Sequence, residues 1–144
     1  SPEHPVRIKI TGDAGVLPAT VATPLAVVLN ELLQNVVDHA YPPHLDSTDG
    51  QVTLDLDNDG HELRVTVTDD GAGVDDGFAI DQSTGLGLMI VRSLIITDLA
   101  GTIDMHRGLG PGTRPGTVVE LRVPVGEGSS EPEDPPVVER GGPA

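Results

Sequence analysis

At 144 residues the chain has room for one domain with a hydrophobic core, and its formal net charge of −15 argues against nucleic acid or an anionic membrane surface as a general partner. Aromatic residues make up 1% of the chain against 37% hydrophobic residues overall, so a core must be assembled from Val, Leu, Ile and Ala. Cysteine is absent, which excludes disulfides and thiolate metal sites and fits a cytoplasmic location. No apolar run reads as long enough to span a membrane, and no signal peptide pattern opens the chain.

Val6-Arg7-Ile8-Lys9-Ile10 alternates with the period of a strand. Residues 12–22 read as a connector, with Val16 and Leu17 expected against the core. Thr23 is a good N-cap and Pro24 suits a first helical position, so a helix is expected from Thr23 to about Ala40, stopped before Pro42-Pro43. Leu25, Val28, Leu29, Leu32 and Val36 recur at helical spacing as its core-facing stripe. Glu31 and Asn35, four apart, stack on one face with Asp38 nearby. A carboxylate and an amide oxygen there offer hard ligands for Mg²⁺ or a place to hold a water, although a solvated polar face has the same pattern.

Residues 41–50 read as a loop. Gln51–Asp57 and His61–Thr68 are expected to form a hairpin around Asn58-Asp59-Gly60. Asp55, Asp57 and Asp59-Gly60 imitate the start of a calcium loop, but the twelfth position is Thr66 rather than Glu and strands flank it, so calcium is set aside. The five histidines show no zinc pattern. Thr102–His106 and Thr117–Val125 read as two further strands, joined through the glycine-rich 108–112 segment. Residues 126–144, rich in Gly, Pro, Ser and acid, are expected to be a disordered tail on a 1–125 domain.

Two glycine-punctuated turns lie between the hairpin and the last two strands. Asp69-Asp70-Gly71-Ala72-Gly73 places a carboxylate at a strand end, followed by residues that let a flat ligand approach the backbone. Gly85-Leu86-Gly87-Leu88 opens a helical run that ends before Gly101, and free N–H groups at such a start favour a phosphate, although glycine there is also a common turn or cap. One end suits a polar ring and the other an anion, so the pair suggests a nucleotide. The dinucleotide fingerprint fails at Ile90, and a Walker A loop fails because no G-K-[ST] occurs.

In this order, E-x-x-x-N on a helix, D-x-G-x-G after a strand and G-x-G-L at a helix start resemble the GHKL, or Bergerat, ATPase superfamily. It includes bacterial histidine kinases, gyrase, the large heat-shock chaperones and mismatch-repair ATPases. Glu31–Asn35 resembles the N box, Asp69–Gly73 the first glycine box, and Gly85–Leu88 with the following Met-Ile-Val-Arg-Ser-Leu the second glycine box of a histidine kinase. Gly116-Thr117 resembles the last box.

The resemblance implies an α/β (α+β) two-layer sandwich, with a mixed sheet and helices packed on one face. It implies ATP and Mg²⁺ as ligands, with Asn35 on the metal, Glu31 orienting or activating the acceptor, and Asp69 receiving the adenine amino group. The implied nucleotide site takes in Asn35, Asp38, His39, Asp69, Gly71, Gly73, Val74, Thr84, Gly85, Leu86, Gly87, Leu88 and Thr117, with 74–84 as an ATP lid. That lid contains no Lys or Arg, which leaves Arg92 or a partner domain to supply a cation to the phosphates. The cadence looks most like cytosolic sensor kinases with GAF or PAS sensors. The implied partners are a histidine-bearing dimerisation domain and a response regulator. His4 stands in a proline-flanked, non-helical context, so the acceptor histidine is expected outside this chain. An anti-sigma-type serine kinase of the same fold and a nucleotide-sensing module without transfer activity are the alternatives.

Overall fold

Alternation of apolar and polar residues gives the central strands one buried and one wet face. The computed structural model describes residues 5–42, 45, 49–74 and 86–126. Among them, β1 (Val6–Asp13), α1 (Ala19–Asn35), β2 (Gly50–Asn58), β3 (Glu62–Asp69), α2 (Leu86–Ser93), β4 (Thr102–Arg107) and β5 (Thr117–Pro124) follow one another. Each helix is prolonged by a wide π-type turn, Val36–Ala40 after α1 and Leu94–Asp98 after α2.

The strands form one mixed sheet in the order β1-β2-β3-β5-β4. β1 runs parallel to β2, and the remaining pairings are antiparallel. Val52 and Leu54, Leu63, Val65 and Val67, and Val119, Leu121 and Val123 are buried against Leu25, Val28, Leu32 and Val36 of the first helix and Val91 and Ile95 of the second. The architecture is therefore the expected two-layer α/β sheet with its helices on one face. At the β1 edge the helical layer runs out, and Ile8 and Ile10 stay exposed.

The β2–β3 hairpin closes where the Asn58-Asp59-Gly60 signal lies. The Asp59 carboxylate accepts the N–H groups of His61 and Glu62, each at 2.8 Å, and these bonds hold its carboxyl below the usual range. Gly60 sits at φ +90°. The Asn58 amide reaches back to the Ala14 carbonyl at 2.7 Å, tying the hairpin to the segment after β1. The acids that imitate a calcium loop thus serve strand and turn, with Asp55 also receiving the Thr11 hydroxyl.

Three expectations are corrected. The first helix starts at Ala19, not Thr23, because Pro18 is the extended residue whose carbonyl receives the Val21 and Ala22 N–H groups at 2.9 Å. Pro24 lies inside the helix, where its missing N–H removes one bond near the first turns. The earlier start makes Ala19–Ala40 a run of 22 residues, long and apolar enough by length and composition to cross a membrane. Its Leu25, Val28 and Leu32 face are nonetheless buried in the core. Finally, Val16 is fully exposed while Leu17 packs on the core. The turn at Gly15, with φ +71° and its N–H on the Asp13 carboxylate at 2.8 Å, directs Val16 outward. The expected tail at 126–144 lies, from 127 on, outside the described residues.

The core assignment is testable. Leu63→Ala, at a position with no exposure, should destabilise the domain by about 2–5 kcal/mol, read as a lower urea midpoint at unchanged slope. Ile10→Thr on the exposed edge should stay within about 0.5 kcal/mol of wild type. Equal losses would mean that β1 is covered as fully as β3.

Candidate functional site

A cavity of about 420 Å³ lies between the helical layer and the sheet. Leu32, Asn35, Val36, His39 and Ala40 line it from the first helix, Val67 and Asp69 from β3, Gly73 and Val74 from the following turn. Gly87 and Leu88 of α2 close one side, and Met105, Thr117 and Val119 of β4 and β5 complete the floor. Mostly apolar walls with a few placed polar groups are the makeup of a small-ligand site.

Asp69 is the last residue of β3 and falls on the same face as Val65 and Val67. It is 7% exposed and stands opposite Thr117 in the β3–β5 ladder. One carboxylate oxygen accepts the Gly71 N–H at 2.9 Å. Burial pushes this carboxyl up from its usual value, and the N–H groups of Gly71 and Thr117 counter part of that. A buried acceptor with lone pairs to spare, at the bottom of an apolar cavity, suits a ligand that brings N–H donors.

The turn after Asp69 is fixed from two sides. The Ala72 N–H bonds the Ala40 carbonyl at 2.8 Å, and the Gly116 N–H bonds the Gly71 carbonyl at 3.0 Å. A Cβ on Gly71 would strike that same Ala40 carbonyl, so the glycine answers to the helix end packed against it. Gly73, at φ +81°, faces the cavity.

The opposite end of the cavity joins the two helices. A Cβ on Gly87 would come within 2.7 Å of the Glu31 carboxylate and 3.8 Å of the Asn35 amide oxygen. The missing side chain lets the start of α2 sit directly on the Glu31–Asn35 face. The pattern of two polar residues four apart and a glycine more than fifty residues later is thus one locus.

Asn35, His39, Asp69, Gly73, Val74, Gly87, Leu88 and Thr117 meet around the cavity. Glu31 lies beside it, against Gly87. Asp38 is exposed and accepts the Gln34 amide at 3.1 Å, away from the lining. Leu86 begins α2, while Thr84 and Gly85, with most of the expected 74–84 lid, lie outside the described residues. Among the described residues no Lys or Arg lines the cavity, and Arg92 is exposed on α2. Two arginines passed over in the sequence stand beside it instead. Arg107 donates from Nε to the Val74 carbonyl at 3.2 Å, and Arg114 from Nε to the Asp70 carbonyl at 2.9 Å. Arg107 reads only as the end of a strand, and the β4–β5 connection around Arg114 carries no periodicity that would have marked it. Met105 and Val119 were legible only as strand residues.

The buried carboxylate carries a pH signature. Folding raises the Asp69 pKa, so the folded state holds that proton more tightly than the unfolded chain. Its contribution to stability is full below the unfolded carboxylate pKa and is lost as pH rises through the folded one. In nucleotide-free melts, Asp69→Asn should therefore gain on wild type as pH climbs through the carboxylate range. A pH-independent difference would show that Asp69 titrates alike in both states.

Comparison with known proteins places these features in a group. Residues 20–127 match the family model of histidine kinase-, DNA gyrase B- and HSP90-like ATPases. The chain is 41% identical over 126 residues to sensor histidine kinase PdtaS of Mycobacterium tuberculosis, spanning 88% of this chain and 24% of that protein. It is 30% identical over 123 residues to blue-light-activated histidine kinase 2 of Erythrobacter litoralis, spanning 85% of this chain and 33% of that one. Among solved structures, the histidine kinase domain of the Erythrobacter litoralis EL346 blue-light-activated kinase superposes with a TM-score of 0.70 at 29% identity, covering 85% of this chain and 56% of that chain. The chain spans about a quarter to a third of these curated relatives. It belongs to the histidine kinase-, DNA gyrase B- and HSP90-like ATPase family.

Proposed function

We propose that this domain binds ATP with Mg²⁺ and donates the γ-phosphoryl group to a histidine on a separate dimerisation and acceptor domain, from which a response regulator receives it. The observation that carries the reading is the cavity itself. Asp69 lies buried at one end, and the Glu31–Asn35 face meets the glycine at the start of α2 at the other. A purine with an exocyclic amine fits the first and a polyphosphate the second.

The chain's own residues divide the work. Asp69 accepts the adenine 6-amino N–H, a role guanine cannot fill because its six-position oxygen only accepts. Gly73 and Val74 cover the base, and the N–H groups at the start of α2 receive phosphate oxygens. The hard oxygen of Asn35 would suit a divalent cation, and Mg²⁺ held there would supply positive charge against that developing on the phosphates. With no described Lys or Arg lining the cavity and a net charge of −15, the domain needs that compensation. Glu31 accepts a hydrogen bond from the acceptor imidazole and takes its proton as the phosphorus–nitrogen bond forms. The bond from the γ-phosphorus to the bridging oxygen breaks, and ADP leaves with its electron pair. Its need for ATP supports a cytoplasmic location for the domain.

Titration calorimetry separates the roles. ATP should bind at least tenfold tighter than GTP, and Asp69→Asn should cost about 1.5–3 kcal/mol of ATP affinity. Asn35→Ala should remove the Mg²⁺ dependence of binding. Glu31→Ala should bind ATP as well as wild type, yet slow transfer to a supplied acceptor domain by about 10²-fold. Wild-type transfer by Glu31→Ala would rule out its catalytic role, and equal GTP binding would rule out that of Asp69.

A further inference from the structure

The second aspartate of the first glycine turn does not line the cavity, yet it gathers several segments of the fold. Asp70 Oδ1 accepts the Tyr41 hydroxyl at 2.7 Å and the Gln51 N–H at 2.9 Å. Arg114 Nη2 lies 3.6 Å from the same oxygen, and its Nε donates to the Asp70 carbonyl at 2.9 Å. The guanidinium lies over the Tyr41 ring, 5.4 Å from its centroid. Three segments distant in sequence therefore converge on one residue: the end of the first helix, the start of β2 and the β4–β5 connection.

Burial of Tyr41 and Arg114 around the half-exposed Asp70 carboxylate makes the arrangement specific. Tyr41 is 4% exposed and the Arg114 side chain 12%. A Cβ on Gly50 would enter the Tyr41 ring, so the strand start is shaped to seat that tyrosine. Burial and the neighbouring Asp70 carboxylate push the Tyr41 hydroxyl up, which keeps it a donor.

The peptide between Asp70 and Gly71 is what this cluster holds. Asp70 is gripped through both its side chain and its carbonyl, and the next N–H, that of Gly71, is the one bound to the Asp69 carboxylate at 2.9 Å. Turning that peptide would remove the internal donor that sets the carboxylate's direction. We propose that Tyr41, Asp70 and Arg114 are positioning residues for base recognition, fixing the Asp70–Gly71 peptide and through it the orientation in which Asp69 meets the purine 6-amino group. The inference rests on Asp69 being the base-reading residue.

The test compares ATP with purine riboside triphosphate, which lacks the 6-amino group, by calorimetry on the full 144-residue chain. Asp69→Asn in the otherwise wild-type chain is the reference for lost discrimination. Asp70→Ala and Arg114→Ala should each lower the preference for ATP about tenfold while leaving the analogue's affinity near wild type. Asp70→Asn, which keeps the acceptor for Tyr41 and Gln51, should retain most of the preference. If Asp70→Ala fails to fold, Tyr41→Phe carries the same expectation, a preference lowered a few-fold by loss of one hydroxyl. Variants that melt earlier but keep the wild-type ATP-to-analogue ratio would show a structural role only and overturn the proposal. An unchanged ratio in Asp69→Asn would overturn the base reading, and this inference with it.

Discussion

Three backbone segments meet at contact distance around the end of β3, with no room for side chains between them. Gly71 rests on the Ala40 carbonyl at the end of the first helix, Gly116 on the Asp69 carbonyl, and Gly73 on the Gly116 carbonyl and the Pro115 ring. Two hydrogen bonds, Ala72 to Ala40 and Gly116 to Gly71, lock the contact. The helix bearing Asn35 and His39, the strand bearing Asp69 and the strand bearing Thr117 are registered to one another here. A methyl group at Gly71 or Gly116 would have to move backbone rather than a flexible side chain. The cavity's geometry is therefore a consequence of where glycine occurs, before any ligand is considered.

Charge acts on this frame in a consistent way. The domain is strongly acidic, and among the described residues no Lys or Arg lines the cavity. Arg107 and Arg114 instead hold carbonyls of the first glycine turn, Val74 and Asp70. A guanidinium fixed on a backbone carbonyl orders a turn that has little side-chain packing of its own, at two positions after Asp69. On the proposed reading, that use of arginine leaves phosphate charge to backbone N–H groups and a divalent ion. It fits a site whose affinity depends on metal.

Most of the sheet was legible because its signals are local. Leu63, Val65 and Val67 alternate, Asn58-Asp59-Gly60 is a turn in any context, and the stripe from Leu25 to Val36 has one period. The boxes at Glu31–Asn35, Asp69–Gly73 and Gly85–Leu88 were legible as an ordered set, and the cavity brings together those parts that are described. What was not legible depends on contacts distant in sequence. The parallel β1–β2 pairing cannot be read from Val6–Ile10 alone, since alternation is the same in either direction. Thr23-Pro24 is a stronger local start signal than Pro18, yet the helix begins at Ala19, where the Pro18 carbonyl receives two N–H groups and Val21 packs on the core. Arg114 sits among glycines and prolines with no pattern to flag it, and acquires a role only when Tyr41 and Asp70 come beside it.

The two ends of the cavity are built to different standards of order, and the chemistry asks for that difference. Recognition of a base needs an acceptor with one direction and little water, because a neutral hydrogen bond discriminates well only when the alternative is an unpaired buried group. Asp69, buried in a ladder and held by the neighbouring N–H, meets that need. Transfer of a phosphoryl group to a side chain on another domain needs a base that the acceptor can reach. Glu31 is only half-buried and borders the cavity rather than lining its floor. Both stand on regular elements, one a strand and one a helix, so their separation is set by the packing of α1 on the sheet. The core that joins Leu32 and Val36 to Val67 is thus the ruler between Asp69 and Glu31, the residues proposed to read the base and to assist the transfer.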